Sequence, residues 1–380
     1  MQGMKSALTA LTDTIRQAAA QRQPLRIRGG GSKDFYGLAL QGQVLDTRPY
    51  SGIVSYEPSE LVVTVRAGTP LAELEAVLAE KGQCLPFEPP HYGGAAGSEA
   101  TVGGMVAAGL SGPARATVGA VRDYVLGLSM INGRAEPLTF GGQVMKNVAG
   151  YDVSRLMCGS LGTLGLITEV SLKVLPVAPA EATLRFDMDE ATAIRRLNQW
   201  AGQPLPLNAS SWVVDAGRPV LYLRLRGAVA AVQAACERLL REAGGERVDS
   251  PATTADWTAA RDLRLPWFAD GFARGQDLWR LSVPQVAPPL GVGDTLIDWL
   301  GAQRWVWADA GDAQAAQRLR AAAAAAGGHA TLFIVGQQAP VRATARFDAL
   351  KPPLDRIHRE LKREFDPAGI FNPGRLVAQA

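Results

Sequence analysis

Cysteine is scarce in this chain: Cys84, Cys158 and Cys236 are the three in 380 residues, far apart and with no CxxC or CxxxC spacing. That excludes an iron–sulfur cluster or zinc site built from its own thiols, and an odd, dispersed set is the pattern of a reducing compartment. Histidine is as scarce, with only His91, His329 and His358 and no two close in the sequence, so no metal site is expected. No GxGxxG stands between a strand and a helix and no GK[ST] occurs, which removes the Rossmann and P-loop readings. No stretch reaches the roughly 18 uninterrupted apolar residues of a membrane span. Charge of one sign is lacking too. Lys and Arg at 39 against Asp and Glu at 36 leave a net +3, too mild to argue for a nucleic-acid partner. The opening run MQGMKSALTALTDTIRQAAAQRQ sets Leu8, Leu11 and Ile15 at helical spacing, keeps charges inside the run and has no signal-peptide core. A cytoplasmic protein is therefore expected.

Glycine, by contrast, is abundant at 41 residues, and it is clustered. RIRGGGSKDFYG covers Arg26–Gly37, a second dense bend covers Gly93–Gly112, and a third covers Gly159–Gly165; the charged pair Arg122-Asp123 lies between the last two. Glycine lets backbone amides approach a bulky ligand and tolerates φ > 0. Several such approaches along one chain point to a long, flat, anionic cofactor held by loops. Successive N–H groups at Gly29–Ser32 can form a nest for a diphosphate, at about 1.5–3 kcal/mol per charge-assisted bond; a tight strand-to-helix turn is the plainer alternative. Thr101-Val102-Gly103-Gly104 is a second cradle or a site of close helix–sheet packing. Gly159–Gly165 alone says less, because glycine before a strand is common.

The elements read as follows. Leu25–Arg28 is a strand ending in the triple glycine, and Val44–Thr47, Ile53–Glu57 and Leu61–Ala67 suit a small sheet. Thr69 as N-cap and Pro70 as first helical residue open a helix whose face is Leu71, Leu74 and Leu78, closed by Gly82. Met105–Leu110 begins a short helix, and the alternation of Val170, Leu172 and Val174 marks a strand. LPVAPAEA, Leu175–Ala182, is the composition break. Beyond it, strands Thr183–Phe186, Val220–Leu225, Trp279–Val283, Trp305–Ala308 and Ala330–Val335 alternate with helices Glu190–Ala201, Ala228–Ala243 and Ala313–Ala326. Leu354–Phe365 is an amphipathic helix before a turn-rich tail, Asp366–Leu376. No internal repeat is found.

The fragments RIRGGGSKDFYG, FEPPHYGGAAGSEATVGGMVAAGLSGPAR, VRDYVLG, MKNVAGYDVSRLMCGSLGTLGLITEVSLKVLP, WTAARDLRLPWF, LWRLSVP, DWLGAQRWVW, GGHATLF and FDPAGIFNPGRL run nearly end to end. In that order and spacing the chain resembles the flavoproteins with a vanillyl-alcohol-oxidase (PCMH-type) FAD-binding domain. Within that family it resembles the FAD-binding E subunits of bacterial glycolate oxidase (glycolate dehydrogenase). The resemblance implies an α+β fold: a PCMH-type two-part FAD-binding domain (1–178), an α+β cap domain (179–350), and a C-terminal helix and tail (351–380) returning to the flavin. It implies that Gly29, Gly30, Gly31 and Ser32 take the FAD diphosphate and that Thr101, Gly103 and Gly104 form a second cradle, with Gly112 in the bend beyond. Asp123 and Val125 would line the adenine half, Gly162, Gly165 and Ile167 close over the dinucleotide, and Asn372 approach the flavin ring.

Three departures qualify what carries over. Ser32 and Lys33 stand where many relatives have a flavin-linking histidine, so FAD is expected to be held non-covalently. No histidine pair around a GDGN-like element is present, and Leu161 replaces an acid in GSLGTLG. The resemblance thus implies an FAD-binding subunit working with a second flavoprotein subunit and an iron–sulfur subunit, oxidising glycolate to glyoxylate as part of a complex. Peripheral association with the inner face of the cytoplasmic membrane would come through that complex. The rivals are a self-sufficient FAD-dependent 2-hydroxy acid dehydrogenase and a scaffold with a redox-silent flavin.

Oxidation of a 2-hydroxy acid needs a cation for the carboxylate and a base for the hydroxyl proton. Arg261 is the weak candidate for the clamp, with an ion-paired or solvated arginine as the commoner role. His329 is the weak candidate base, with a structural histidine at a strand start as the commoner one. Tyr151 either faces the ring or packs, Cys158 reads as a small buried side chain, and the basic run Lys351–Arg363 reads as a solvated helix face or a docking surface.

Overall fold

The computed structural model describes residues 2–93, 99–142, 151–248, 250–336 and 345–376. Parts of two sequence motifs, 94–98 and 143–150, lie outside the described residues. The chain divides into two units, one of 1–110, 120–176 and 349–380, the other of 111–119 and 177–348.

In the first unit, helix Gln2–Gln21 buries Leu11, Ile15 and Ala18, one stripe of its amphipathic pattern. Strand Leu25–Arg28 draws Gln43–Asp46 away from the small sheet that the sequence reading gave it with Ile53–Glu57 and Leu61–Ala67. It pairs in parallel with Gln43–Asp46 alone, and Leu25 also bridges to Phe371 of the returning tail. The main sheet is five-stranded, ordered Ile53–Glu57, Val62–Arg66, Leu166–Lys173, Val125–Ile131, Pro137–Gly141. Its central strand, Leu166–Lys173, is buried on both faces, so polar alternation is weak there; the same burial hid Val125–Ile131 from the sequence reading, while its hairpin partner Pro137–Gly141 is an edge strand with no buried residue. Helices Leu71–Ala79 and Val102–Ala108 cover this sheet with Leu71, Leu74, Leu78, Met105 and Val106.

Two helix starts moved, the first by one residue and the second, from Met105 to Val102, by three. Thr69 is not the helix cap: Pro70 takes that place, while the Thr69 hydroxyl accepts from Gly52 N–H at 2.8 Å and donates to Arg66 C=O at 2.8 Å. Thr101, two bends later, is an N-cap, accepting from Gly104 N–H at 3.3 Å.

The second unit is built on one eight-stranded sheet, ordered Glu246–Arg247, Ala180–Asp187, Arg218–Gly227, Leu207–Asp215, Thr295–Asp298, Gln303–Ala308, Asp277–Ser282, His329–Ile334. Numbered within each half, the order is 4-1-3-2 followed by 2-3-1-4. Each half therefore has the strand order of a split βαβ motif, and the two meet through the pairs Ser211↔Asp298 and Trp212↔Ile297. The repeat absent from the sequence is present in the topology. It is disguised because the first half has helix Glu190–Ala201 between its first two strands, while the second half has VPQVAPPLGVGD, residues 283–294, whose prolines and glycines cannot sustain one. Residues 111–119, on the sequence reading part of the first domain, group with this second unit. Trp299 Nε1 donates to Gly112 C=O at 2.9 Å, Thr117 Oγ1 to Asn208 C=O at 2.7 Å, and Arg115 lies 4.6 Å over the Trp299 ring.

Candidate functional site

Strand Leu25–Arg28 delivers Gly29–Ser32 to the place where two other bends arrive. A Cβ on Gly29 would strike the Thr101 side chain, and one on Gly30 would strike the backbone carbonyl of Glu99. Gly31 has φ +78°, a left-handed conformation that side chains disfavour. Bareness is thus required here by contact between segments about seventy residues apart. Among the described residues, nothing accepts a hydrogen bond from the backbone amides of Gly29, Gly30, Gly31 or Ser32, although Gly30 and Ser32 are buried. Buried amides are nearly always paired, so this run of donors fits an anion such as a diphosphate.

The charges around the loop agree. Asp34 takes both Arg26, at 2.5 Å, and Arg28, at 2.9 Å, on one carboxylate oxygen, so two cations face one anion. Lys33 Nζ adds a third positive group, 3.2 Å from Ser32 Oγ and 5.6 Å from the Tyr92 ring centroid. The sequence reading passed over Arg28 and Lys33; the signal available was RxR before the glycines and lysine after them.

The second bend is fixed by a short ladder: Leu71 N–H to Ala100 C=O at 2.7 Å, Val102 N–H to Thr69 C=O at 3.0 Å, Gly103 N–H to Ala67 C=O at 2.8 Å. The Gly103 amide is therefore already bonded, and a Cβ there would strike Ala67: this glycine serves close packing. Around Gly104 only the Thr101 hydroxyl lies near a would-be Cβ.

Gly162, with φ +70°, completes the convergence, since a Cβ on it would approach the Asn372 amide at 2.7 Å. Asn372 is buried, and its side chain is engaged at both ends. Oδ1 accepts Ile27 N–H at 2.8 Å and Nδ2 donates to Leu161 C=O at 2.7 Å. Gly165 lies against Met130 and Ile131, and Ile167 pairs with Met130 in the sheet. Val125 is a core residue, and the exposed Asp123 closes the turn Val121–Asp123 by accepting Ala120 N–H at 2.8 Å. Gly112 lies in the second unit, its carbonyl taken by Trp299.

The catalytic candidates belong to the second unit and are differently placed. Arg261 meets its neighbour Asp262 at 2.7 and 3.3 Å, so a carboxylate already occupies its fork. His329 is an exposed residue on an edge strand; desolvation, then nearby Arg280, lowers its pKa. In the first unit Tyr151 is 95% exposed. Burial pushes the Cys158 thiol up to about 12, which leaves it protonated and unreactive near neutrality.

The family described as FAD binding domain matches over residues 8–141. Glycolate oxidase subunit GlcE of Escherichia coli (strain K12) is 45% identical over 371 residues, 97% of this chain and 97% of the relative. Glycolate oxidase subunit GlcD of Bacillus subtilis (strain 168) is 31% identical over 165 residues, 43% of this chain and 34% of the relative. In fold, the chain is similar to alkyldihydroxyacetonephosphate synthase with a TM-score of 0.69 at 16% identity, over 96% of this chain and 75% of that one.

Proposed function

The chain belongs to the GlcE family of FAD-binding proteins, and from that premise we propose that it is the FAD-holding subunit of a complex that oxidises glycolate to glyoxylate. The observation that carries this reading is the run of amides at Gly29–Ser32 that have no acceptor among the described residues. On this reading those amides, with Arg28 and Lys33, hold the diphosphate. Thr101, Gly104, Gly162 and the loops around Asp123 and Gly165 shape the rest of the cleft, and Gly103, Val125, Ile167 and Asn372 support it from behind. Bound FAD supplies the two-electron acceptor that oxidation of a 2-hydroxy acid requires. Ser32 and Lys33 at the linkage position support non-covalent attachment.

Arg261 paired with Asp262, and His329 on an exposed edge strand, favour a subunit over a self-sufficient dehydrogenase. Substrate activation then falls to a second flavoprotein subunit, and electrons leave through an iron–sulfur partner toward the membrane. Among the described residues no helix is long and apolar enough to cross a bilayer, and any peripheral attachment comes through the complex.

The test is purification of the chain alone and with its co-expressed partners. The expected result is a yellow protein whose flavin is released by acid, inactive with glycolate and a dye alone and active in the complex. A colourless protein that refuses added FAD defeats the flavin assignment; robust turnover by the isolated chain defeats the subunit assignment.

A further inference from the structure

The segment from Lys362 to Arg375 holds the two flanks of the glycine loop and the loop at 159–165 through four polar side chains, Lys362, Asp366, Asn372 and Arg375. Asp366, fully buried, accepts Ile370 N–H at 3.1 Å and Phe371 N–H at 2.8 Å, folding the tail into a fixed turn. Lys362 Nζ ties that turn to the third loop, donating to Thr163 C=O at 2.7 Å and Phe371 C=O at 2.9 Å while paired with Asp366. Ile370 and Phe371 are buried beside Leu25 and Ile131, and Leu25 N–H reaches Ile370 C=O at 2.7 Å. Asn372 then joins Ile27, just before the glycines, to Leu161.

Arg375 completes the hold. It is 5% exposed, and its guanidinium donates to the carbonyls of Leu38, Lys33 (3.2 Å) and Asp34 (2.9 Å). Its own carbonyl accepts Leu38 N–H at 3.0 Å. Gly37 lies between Arg375 and Leu161, so a Cβ there would meet both. Peptide planes are rigid; fixing the carbonyls of Lys33 and Asp34 fixes how the chain leaves the glycine run.

We propose that Lys362, Asp366, Asn372 and Arg375 are positioning residues that preorganise the flavin loops, so that docking of the C-terminal segment and binding of FAD are thermodynamically coupled. None of the four need touch the cofactor; they act through the carbonyls and amides of residues 27–38 and 161–163. The proposal rests on the flavin reading above. Coupling of this kind is reciprocal, so FAD must tighten the docked tail by the same factor that the tail tightens FAD.

The full chain, stripped of flavin, serves for the test, as wild type, Arg375→Ala, Arg375→Lys, Asn372→Asp and a control, Arg359→Ala, which alters only an exposed helix pair. FAD affinity is read from quenching of flavin fluorescence. Amide hydrogen exchange in flavin-free protein is read at the bonded amides of Asp34, Tyr36 and Thr163, with strands Val125–Ile131 and Leu166–Lys173 as reference. Arg375→Ala should weaken FAD binding about tenfold or more and speed exchange at Asp34 and Tyr36 while the reference strands hold. Arg375→Lys should restore part of the affinity. Asn372→Asp, which sets an anion against the Leu161 carbonyl, should speed exchange at Thr163, and Arg359→Ala should change nothing. In the wild type, FAD should slow exchange at Ile370 and Phe371. Unchanged FAD affinity in Arg375→Ala overturns the proposal, as does loss of protection in loops and reference strands together. If the wild type takes no FAD, the flavin reading falls and the exchange pattern alone decides the strap.

Discussion

The glycine-loop region of the first unit and the sheet of the second treat buried polar groups in opposite ways. In the sheet, most buried polar side chains pair within the unit, although Gln303 Oε1 and Arg304 Nε have no hydrogen-bond partner among the described residues. Arg224 bonds Asn208 at 2.7 Å, Trp257 Nε1 bonds Thr183 at 3.0 Å, Trp305 Nε1 bonds Asp298 at 3.0 Å, and Asp277 receives the amides of Gly311 and Gly336. In the glycine loop, side chains and the tail brace the carbonyls, while consecutive amides have no acceptor among the described residues. A buried donor without a partner costs free energy, so a fold keeps several in one place where a ligand repays the loss. Most polar groups in the sheet hold the fold together; on the proposed flavin reading, those in the loop serve a ligand.

Four substitutions probe this contrast. Trp279→Ala, in the core of the duplicated sheet, should cost about 3–5 kcal/mol of stability by denaturant unfolding. Flavin per folded molecule should be retained; flavin lost in step with stability would erase the distinction between the regions. Gly30→Ala forces a methyl group into the Glu99 carbonyl and should cost about 1–3 kcal/mol. Here the flavin absorbance per protein should fall at least tenfold, far out of proportion to the stability change.

Asp298 sharpens the sheet side of the comparison. Desolvation raises its pKa to about 6, against the hydrogen bonds from Trp305, Ser211 and Gln303. Its unfolded value is near 3.9, so the folded state prefers the protonated acid. The contribution of Asp298 to stability should be greatest below pH 4, decline between pH 4 and 6, and level off above, a loss of about 2–3 kcal/mol. Asp298→Asn keeps an acceptor for Trp305 and should remove that decline, leaving the variant more stable than wild type at pH 7; a stability difference between the two that stays flat from pH 4 to 6 would contradict the assignment. The smallest effect belongs to Arg16→Ala. Its pair with Asp13 is well exposed, and unfolding should shift by less than about 0.5 kcal/mol, with flavin content unchanged.

Much of the site was readable because glycine and its neighbours act locally. The triple glycine at the end of Leu25–Arg28 and the glycine pair after Thr101 need only short-range backbone geometry. What escaped is long-range. Gly103 looks like its neighbour Gly104 in sequence, yet its amide is taken by Ala67. The roles of Lys362 and Arg375 were invisible because a basic residue near the end of a chain resembles a solvated one.

The sequence by itself determined the bends, most of the strands and helices, and the α+β character of the fold, since hydrophobic period and turn chemistry operate over a few residues. Only the tertiary structure decided which amides stay without acceptors and which side chains hold them open. Those outcomes depend on contacts such as Asn372 with Leu161, 211 residues apart, and Asn372 with Ile27, 345 apart. Local propensity cannot encode such pairings; burial of Ile370 and Phe371 against Leu25 brings them about.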